Sequence, residues 1–199
     1  MLFRSTGFRL ALGGGAERFA VRPDLAIYGK AVAGGYPASV LAGSAAIMRR
    51  FASGTNHSGT FNANVLSCAA IVAALEVMRT EPVHARVEET GTALIDGIRA
   101  LATELGLPLV VRGLPPAFHV SFDTPDPVGC YADLLRADGA RYRRLVRHAR
   151  DAGLYLTGRG IWYVSAAHDA ETTRIGLERL GAAIRRLLID EADRTGGSR

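Results

Sequence analysis

Lysine is almost missing from this sequence: of 24 basic residues, Lys30 alone is a lysine and the other 23 are arginine. Arginine carries surface charge as well as lysine does, but it forms no imine with a carbonyl. The surviving amine is therefore a candidate for chemistry. Cysteine is scarce as well. Cys68 and Cys130 allow one disulfide at most, and neither lies in a His/Cys spacing that would hold a metal. That excludes a disulfide-stapled scaffold and a zinc module, and predicts reduced structural thiols. No apolar stretch reaches the ~18 uncharged residues of a membrane span. Arg4 interrupts the apolar opening Met1-Leu2-Phe3 before it can form a secretory leader. These absences predict a cytoplasmic protein with no membrane partner.

A basic nucleic-acid arm is also lacking. The densest run, Arg141, Arg143, Arg144, Arg147 and Arg150, is flanked by Asp133, Asp138 and Asp151, so it reads as a solvated helix face and predicts no nucleic-acid partner. The net charge of +5 lies wholly in residues 1–50, which hold 7 basic and 2 acidic groups; the remainder balances 17 against 17. With 48% hydrophobic and 22% charged residues, the composition is that of a globular chain rather than a disordered one.

Short apolar runs alternate with longer helical patterns, which predicts an α/β fold. Strands are expected at 23–28 and 39–43, then a short helix at 44–51, a polar loop at 52–60 and a mostly buried helix over 64–80 capped by Asn62 or Asn64. Glu81-Pro82 marks a boundary between two domains, 1–81 and 82–199. The second holds a helix at 83–105 ended by Gly106, strands at 109–112 and 117–122 joined by Gly-Leu-Pro-Pro, and a loop around Pro125 and Pro127. Helices at 138–152 and 169–192 enclose short strands at 154–157 and 161–164, Asp169 with Thr172 caps the last helix, and the tail from Thr195 frays. The first fifty residues contain too few helices to cover both faces of a parallel sheet, so they read as part of a larger domain.

Lys30 follows a strand directly, with Gly29 before it and Gly34-Gly35 after it. Strand ends in α/β sheets are where ligands bind, and glycines there admit close approach, which suits a Schiff base with a carbonyl or with pyridoxal phosphate. A plain surface lysine is the alternative, and the depletion of lysine argues against it. His57 lies in the polar loop, His168 precedes the last helix, and Arg112 and Arg159 are candidate holders of a carboxylate or simply surface arginines. No nucleophile elbow and no phosphate-loop lysine motif is present.

Several motifs occur together in order: Thr6-Gly7-Phe8-Arg9, Gly13-Gly14, Val21-Arg22-Pro23-Asp24-Leu25, Tyr28-Gly29-Lys30 and Gly34-Gly35-Tyr36-Pro37. They continue with Ser58-Gly59-Thr60-Phe61-Asn62-Ala63-Asn64 and Tyr163-Val164-Ser165-Ala166-Ala167-His168. The sequence so resembles class III pyridoxal-phosphate aminotransferases from about residue 5 to about 188, most closely the glutamate-1-semialdehyde 2,1-aminomutase branch. The resemblance implies fold type I: part of a large-domain mixed, mostly parallel sheet, plus a small C-terminal α/β domain. It implies that Lys30 is the Schiff-base lysine, which also shuttles a proton, and that Ser58, Gly59 and Thr60 belong to the loop reaching the cofactor phosphate of a neighbouring subunit. For Thr60 a helix cap is the alternative. The family's Asp-Glu-Val, whose aspartate pairs with the pyridinium nitrogen, has no counterpart in Met1–Ser5, and the preceding half of the family chain is absent. Three readings follow. In one, the chain needs a complementary N-terminal half or a homo-oligomer to act on a small amino acid or amino-aldehyde. In another, it is an inactive homologue serving as an interaction or scaffold protein. In the third, the sequence is a fragment of a longer gene product.

Overall fold

The computed structural model describes residues 2–4, 7–122 and 128–196. Thr6, the Pro125–Pro127 loop and residues 197–199 lie outside the described residues. The chain forms two compact units, Met1–Ala85 and Arg86–Arg199.

The first unit is built on a three-stranded mixed sheet in the order β1 (Leu2–Arg4), β2 (Leu25–Tyr28), β3 (Val40–Gly43). β1 and β2 are parallel, with Leu2 opposite Leu25; β2 and β3 are antiparallel, with Ile27 opposite Leu41. A short helix, α1 (Gly14–Arg18), lies between β1 and β2 in the chain, and β3 is followed by α2 (Ala45–Met48), extended by a 3-10 turn through Ala52. α3 (Val65–Thr80) closes the unit. Its first turn is capped by Asn64, whose side-chain oxygen accepts from the Ser67 amide at 3.0 Å. The core is small: Phe8, Val32 and Ala33 are buried, with Tyr28, Ala70, Ile71, Leu75 and Met78 packed around them.

α3 differs from the sequence expectation. A mostly buried helix was expected over these residues, yet none of its residues is buried. One face packs on the small core, and the opposite face, equally apolar, meets solvent.

The second unit has a hairpin core. α4 (Val83–Glu104) leads to β4 (Leu109–Leu114) and β5 (Ala117–Phe122), with Val111 opposite Val120 and a two-residue Pro115-Pro116 turn. β6 (Ile161–Tyr163) adds antiparallel to β5. Short α5 (Tyr131–Leu134), α6 (Gly139–Asp151) and the long α7 (Ala170–Gly196) complete it. Ile98, Phe118, Phe122, Leu145, Leu180, Ile184 and Leu187 are almost fully buried together. α4 ends as expected: Gly106 takes φ +61°, and the Leu107 amide donates to the Ala102 carbonyl at 2.9 Å.

The expected strand at 154–157 does not form. α6 ends by turning through Gly153, and Thr157 closes a turn onto Ile161 through its hydroxyl at 2.9 Å. The segment therefore has no neighbouring strand to pair with, and β6 alone joins the sheet. Both cysteines are free and exposed, and Cys130 caps α5 opposite Asp133.

Candidate functional site

β2 delivers Lys30. Its last residue, Tyr28, is followed by buried Gly29 in extended conformation, and Lys30 then opens a 3-10 turn, Lys30–Ala33, that Gly34 ends at φ +59°. Lys30 itself has φ +60°. An unbranched L residue in the left-handed region costs about 1–2 kcal/mol and persists only where its surroundings impose it. Here they do: Val32 and Ala33, two and three residues on, are locked into the core against Phe8 and α3. The lysine side chain is exposed, and among the described residues it makes no hydrogen bond or ion pair.

Close glycine contacts fix the ground beneath β2. A Cβ on Gly7 would stand 2.3 Å from the Gly15 nitrogen, and one on Gly14 would meet the Tyr28 ring at 2.9 Å. Tyr28 donates its hydroxyl to the Gly13 carbonyl at 3.3 Å. The Gly7 and Gly13-Gly14 motifs thus serve packing under the lysine-bearing strand.

The second group of candidates lies before α3. Asn62 folds the loop on itself: its amide donates to the Gly59 carbonyl at 2.9 Å and its side chain to the His57 carbonyl at 3.1 Å. Among the described residues the amides of Ser58, Gly59 and Thr60, and the two hydroxyls, have no protein partner, and all three residues are exposed. Unpartnered turn amides with flanking hydroxyls are what a phosphate dianion requires. Thr60 is not the helix cap, since Asn64 holds that place. The clamp supplied by Asn62 leaves no periodic signal in the sequence, since its side-chain amide reaches back five residues. A cavity of about 460 Å³ beside the loop is lined by Pro37, Ser39, Phe61, Asn62, Asn64 and Cys68. No hydrogen bond, ion pair or ring contact among the described residues joins Lys30 to the loop.

The second unit holds His168, Arg112 and Arg159. The Ser165 amide donates to His168 Nδ1 at 3.1 Å, closing the turn before α7, which Asp169 caps through the Thr172 amide at 2.8 Å. His119 donates Nε2–H to the Arg159 carbonyl at 3.1 Å. Burial holds its pKa below the ordinary histidine value, and the Arg112 guanidinium adds to this, against the opposing pull of that hydrogen bond. Arg159 and Arg143 border a cavity of about 400 Å³ with Phe122, Tyr131 and Leu135 on its walls. No cluster of three metal-ligating side chains occurs among the described residues, and no described helix is long and apolar enough to cross a membrane.

A strained lone lysine at a strand end and an open amide-and-hydroxyl loop fit an aldehyde cofactor bearing a phosphate, and comparison with known proteins agrees. The sequence model described as aminotransferase class-III matches residues 6–181, and the chain belongs to this family, whose members use pyridoxal 5′-phosphate and adopt fold type I. It is 35% identical over 191 residues to the glutamate-1-semialdehyde 2,1-aminomutase of Gemmatimonas aurantiaca, a match covering 94% of this chain and 43% of that protein. Among solved structures it resembles a β-phenylalanine aminotransferase from Variovorax paradoxus, with TM-score 0.81 and 29% identity over 90% of this chain and 42% of that one. It also resembles the FumI protein of a Sphingopyxis species in its PLP internal aldimine form, with TM-score 0.80 and 27% identity over 94% and 42% of the two chains. The chain thus spans less than half the length of the relatives it matches.

Proposed function

We propose that this chain is the lysine-bearing part of a pyridoxal-phosphate-dependent transaminase or aminomutase, acting on a small amino acid or amino-aldehyde. The observation that carries the reading is Lys30: the single lysine of the chain, held at φ +60° at the end of β2. Bound cofactor would supply an electron sink for bonds at the substrate carbon bearing nitrogen. Lys30 Nζ would hold the cofactor through its aldehyde and, once displaced by the substrate amine, carry a proton to and from that carbon. The amides and hydroxyls of Ser58, Gly59 and Thr60 would hold the phosphate of a cofactor bound in a neighbouring subunit, as the homodimeric habit of the family suggests.

The N-terminal half of the fold, in the same polypeptide or in a partner chain, completes this site. It would supply the carboxylate that keeps the pyridinium nitrogen protonated and the ring-stacking residue, neither of which the described residues provide. Such a reading suits a cytoplasmic enzyme.

The test is covalent capture. The chain, alone and with an N-terminal partner, is incubated with pyridoxal phosphate, reduced with borohydride and mapped by peptide mass. Label on Lys30, lost in Lys30→Ala, is the expected result. Absence of label in both settings overturns the reading in favour of a scaffold protein without cofactor.

A further inference from the structure

The backbone carbonyl of Phe8 is held by a side chain 76 residues further along the chain. His84, in the first turn of α4, is half-buried, and its Nε2 lies 3.1 Å from the Phe8 oxygen. A carbonyl oxygen only accepts, so Nε2 carries the proton and donates. The two rings meet edge to face, with centroids 6.3 Å apart and planes at 83°. His84 therefore grips Phe8 twice, at its backbone and at its ring. Phe8 in turn is 3% exposed and shares the small core with Val32 and Ala33. Those two residues belong to the 3-10 turn that opens with Lys30. Direct contacts so run from His84 through Phe8 to the turn that holds Lys30 at φ +60°.

We propose that His84 is the positioning residue of Lys30: by donating to the Phe8 carbonyl it fixes the platform that imposes the left-handed backbone on Lys30, and so fixes where the amine is presented. The inference rests on the reading of Lys30 as the cofactor lysine and goes beyond it. Left to itself, a lysine at positive φ relaxes, because ordinary helical or extended backbone lies lower in energy. The strain persists only while Val32 and Ala33 stay in place, and they stay in place while Phe8 does. Packing alone holds Phe8 weakly, since Val32 and Ala33 are the only other buried members of this core among the described residues. The hydrogen bond from His84 adds a directional restraint at the backbone. Removing the donor leaves the Phe8 carbonyl to turn towards water, since an unmet acceptor at the edge of a core is costly. That rotation carries the Phe8 ring with it. His84 thus acts through Phe8 and not on the reacting atoms.

The single lysine makes the test direct. Isotope-labelled lysine gives the full chain one labelled backbone amide signal in NMR, and its coupling to the α proton depends on φ at Lys30. His84→Phe keeps a ring against Phe8 but removes the donor; His84→Gln removes the ring but keeps a donor. In His84→Phe the Lys30 signal should move and its coupling change, whereas His84→Gln should stay close to the wild type in both. Borohydride capture of pyridoxal phosphate at Lys30 should fall about tenfold in His84→Phe and less than about twofold in His84→Gln, at a temperature where circular dichroism shows both variants folded. The two readouts separate the failures. Should the wild-type chain take no label, the cofactor reading fails, while the amide signal still decides the positioning. The proposal is overturned if His84→Phe lowers the melting temperature but leaves the Lys30 coupling unchanged, which makes His84 a stability contact only. It is equally overturned if capture in His84→Phe matches a labelled wild type, or if His84→Gln behaves as His84→Phe does, since the hydrogen bond is then not what acts.

Discussion

Lys30 occupies a backbone conformation that lysine avoids, and no residue around it gains from its side chain. Glycine would adopt φ +60° at little steric cost. Lys30→Gly is expected to raise the stability of the first unit by about 1 kcal/mol, measured by urea denaturation followed by circular dichroism, while abolishing cofactor capture. Equal or lower stability would show that the strain is not stored there. A second residue-scale case lies in the other unit. The chain's one tryptophan, Trp162, donates its indole N–H to the Tyr142 hydroxyl at 3.0 Å and stacks on Phe118 at 5.6 Å between centroids. Burial pushes the Tyr142 phenol up to about 12, against the hydrogen bond from Trp162, which favours the phenolate. Because the folded value lies above the ordinary 10.0, the unfolded chain releases this proton first. The stabilising contribution is full below pH 10 and is lost as pH rises towards about 12. Tyr142→Phe should remove that alkaline loss and orphan the indole N–H, lowering stability at neutral pH by about 1–3 kcal/mol in tryptophan-monitored denaturation.

Among the elements, α4 shows how closely helix and hairpin meet. Gly91 faces the Pro115-Pro116 turn, and a Cβ there would stand 2.1 Å from the Pro115 carbonyl oxygen. In a free helix Gly→Ala gains about 1 kcal/mol. Here Gly91→Ala should instead lower the stability by about 1–3 kcal/mol, seen as a lower melting temperature, whereas Gly176→Ala, with open space around it, should be neutral or stabilising. At α6 and α7 a partly buried arginine pair holds the helices together. Arg141 and Arg144 both bind Glu191 at 2.8 Å, and although burial raises the Glu191 pKa, these two hydrogen bonds outweigh it and hold the carboxyl below its usual range.

At the scale of the whole molecule, the two units are unequal. Among the described residues the second has a core of 18 buried residues, whereas the clustered core of the first has three, and buried apolar surface is the main source of stability. The expectation is a two-step unfolding in which the first unit melts early. Trp162 belongs to the second unit and reports only on it, so circular dichroism should show a transition at lower urea than tryptophan fluorescence does. Coincident transitions by both probes would count against this.

Much of this was legible beforehand. The lysine count pointed to Lys30, ordered glycine and strand motifs carried the family, and helix ends followed from Asn62 or Asn64, Asp169 with Thr172, and Gly106, because caps and turn residues act through neighbours a few positions away. The sequence could not say which face of α3 is covered: both faces are apolar, and burial depends on what packs against them. Nor could it give the strain at Lys30, the Asn62 clamp, or the failure of 154–157 to pair. The Asn62 clamp and the Thr157 turn are local but leave no periodic pattern, whereas the covered face of α3 and the strain at Lys30 are decided by contact with residues distant in the chain, which only the tertiary structure sets.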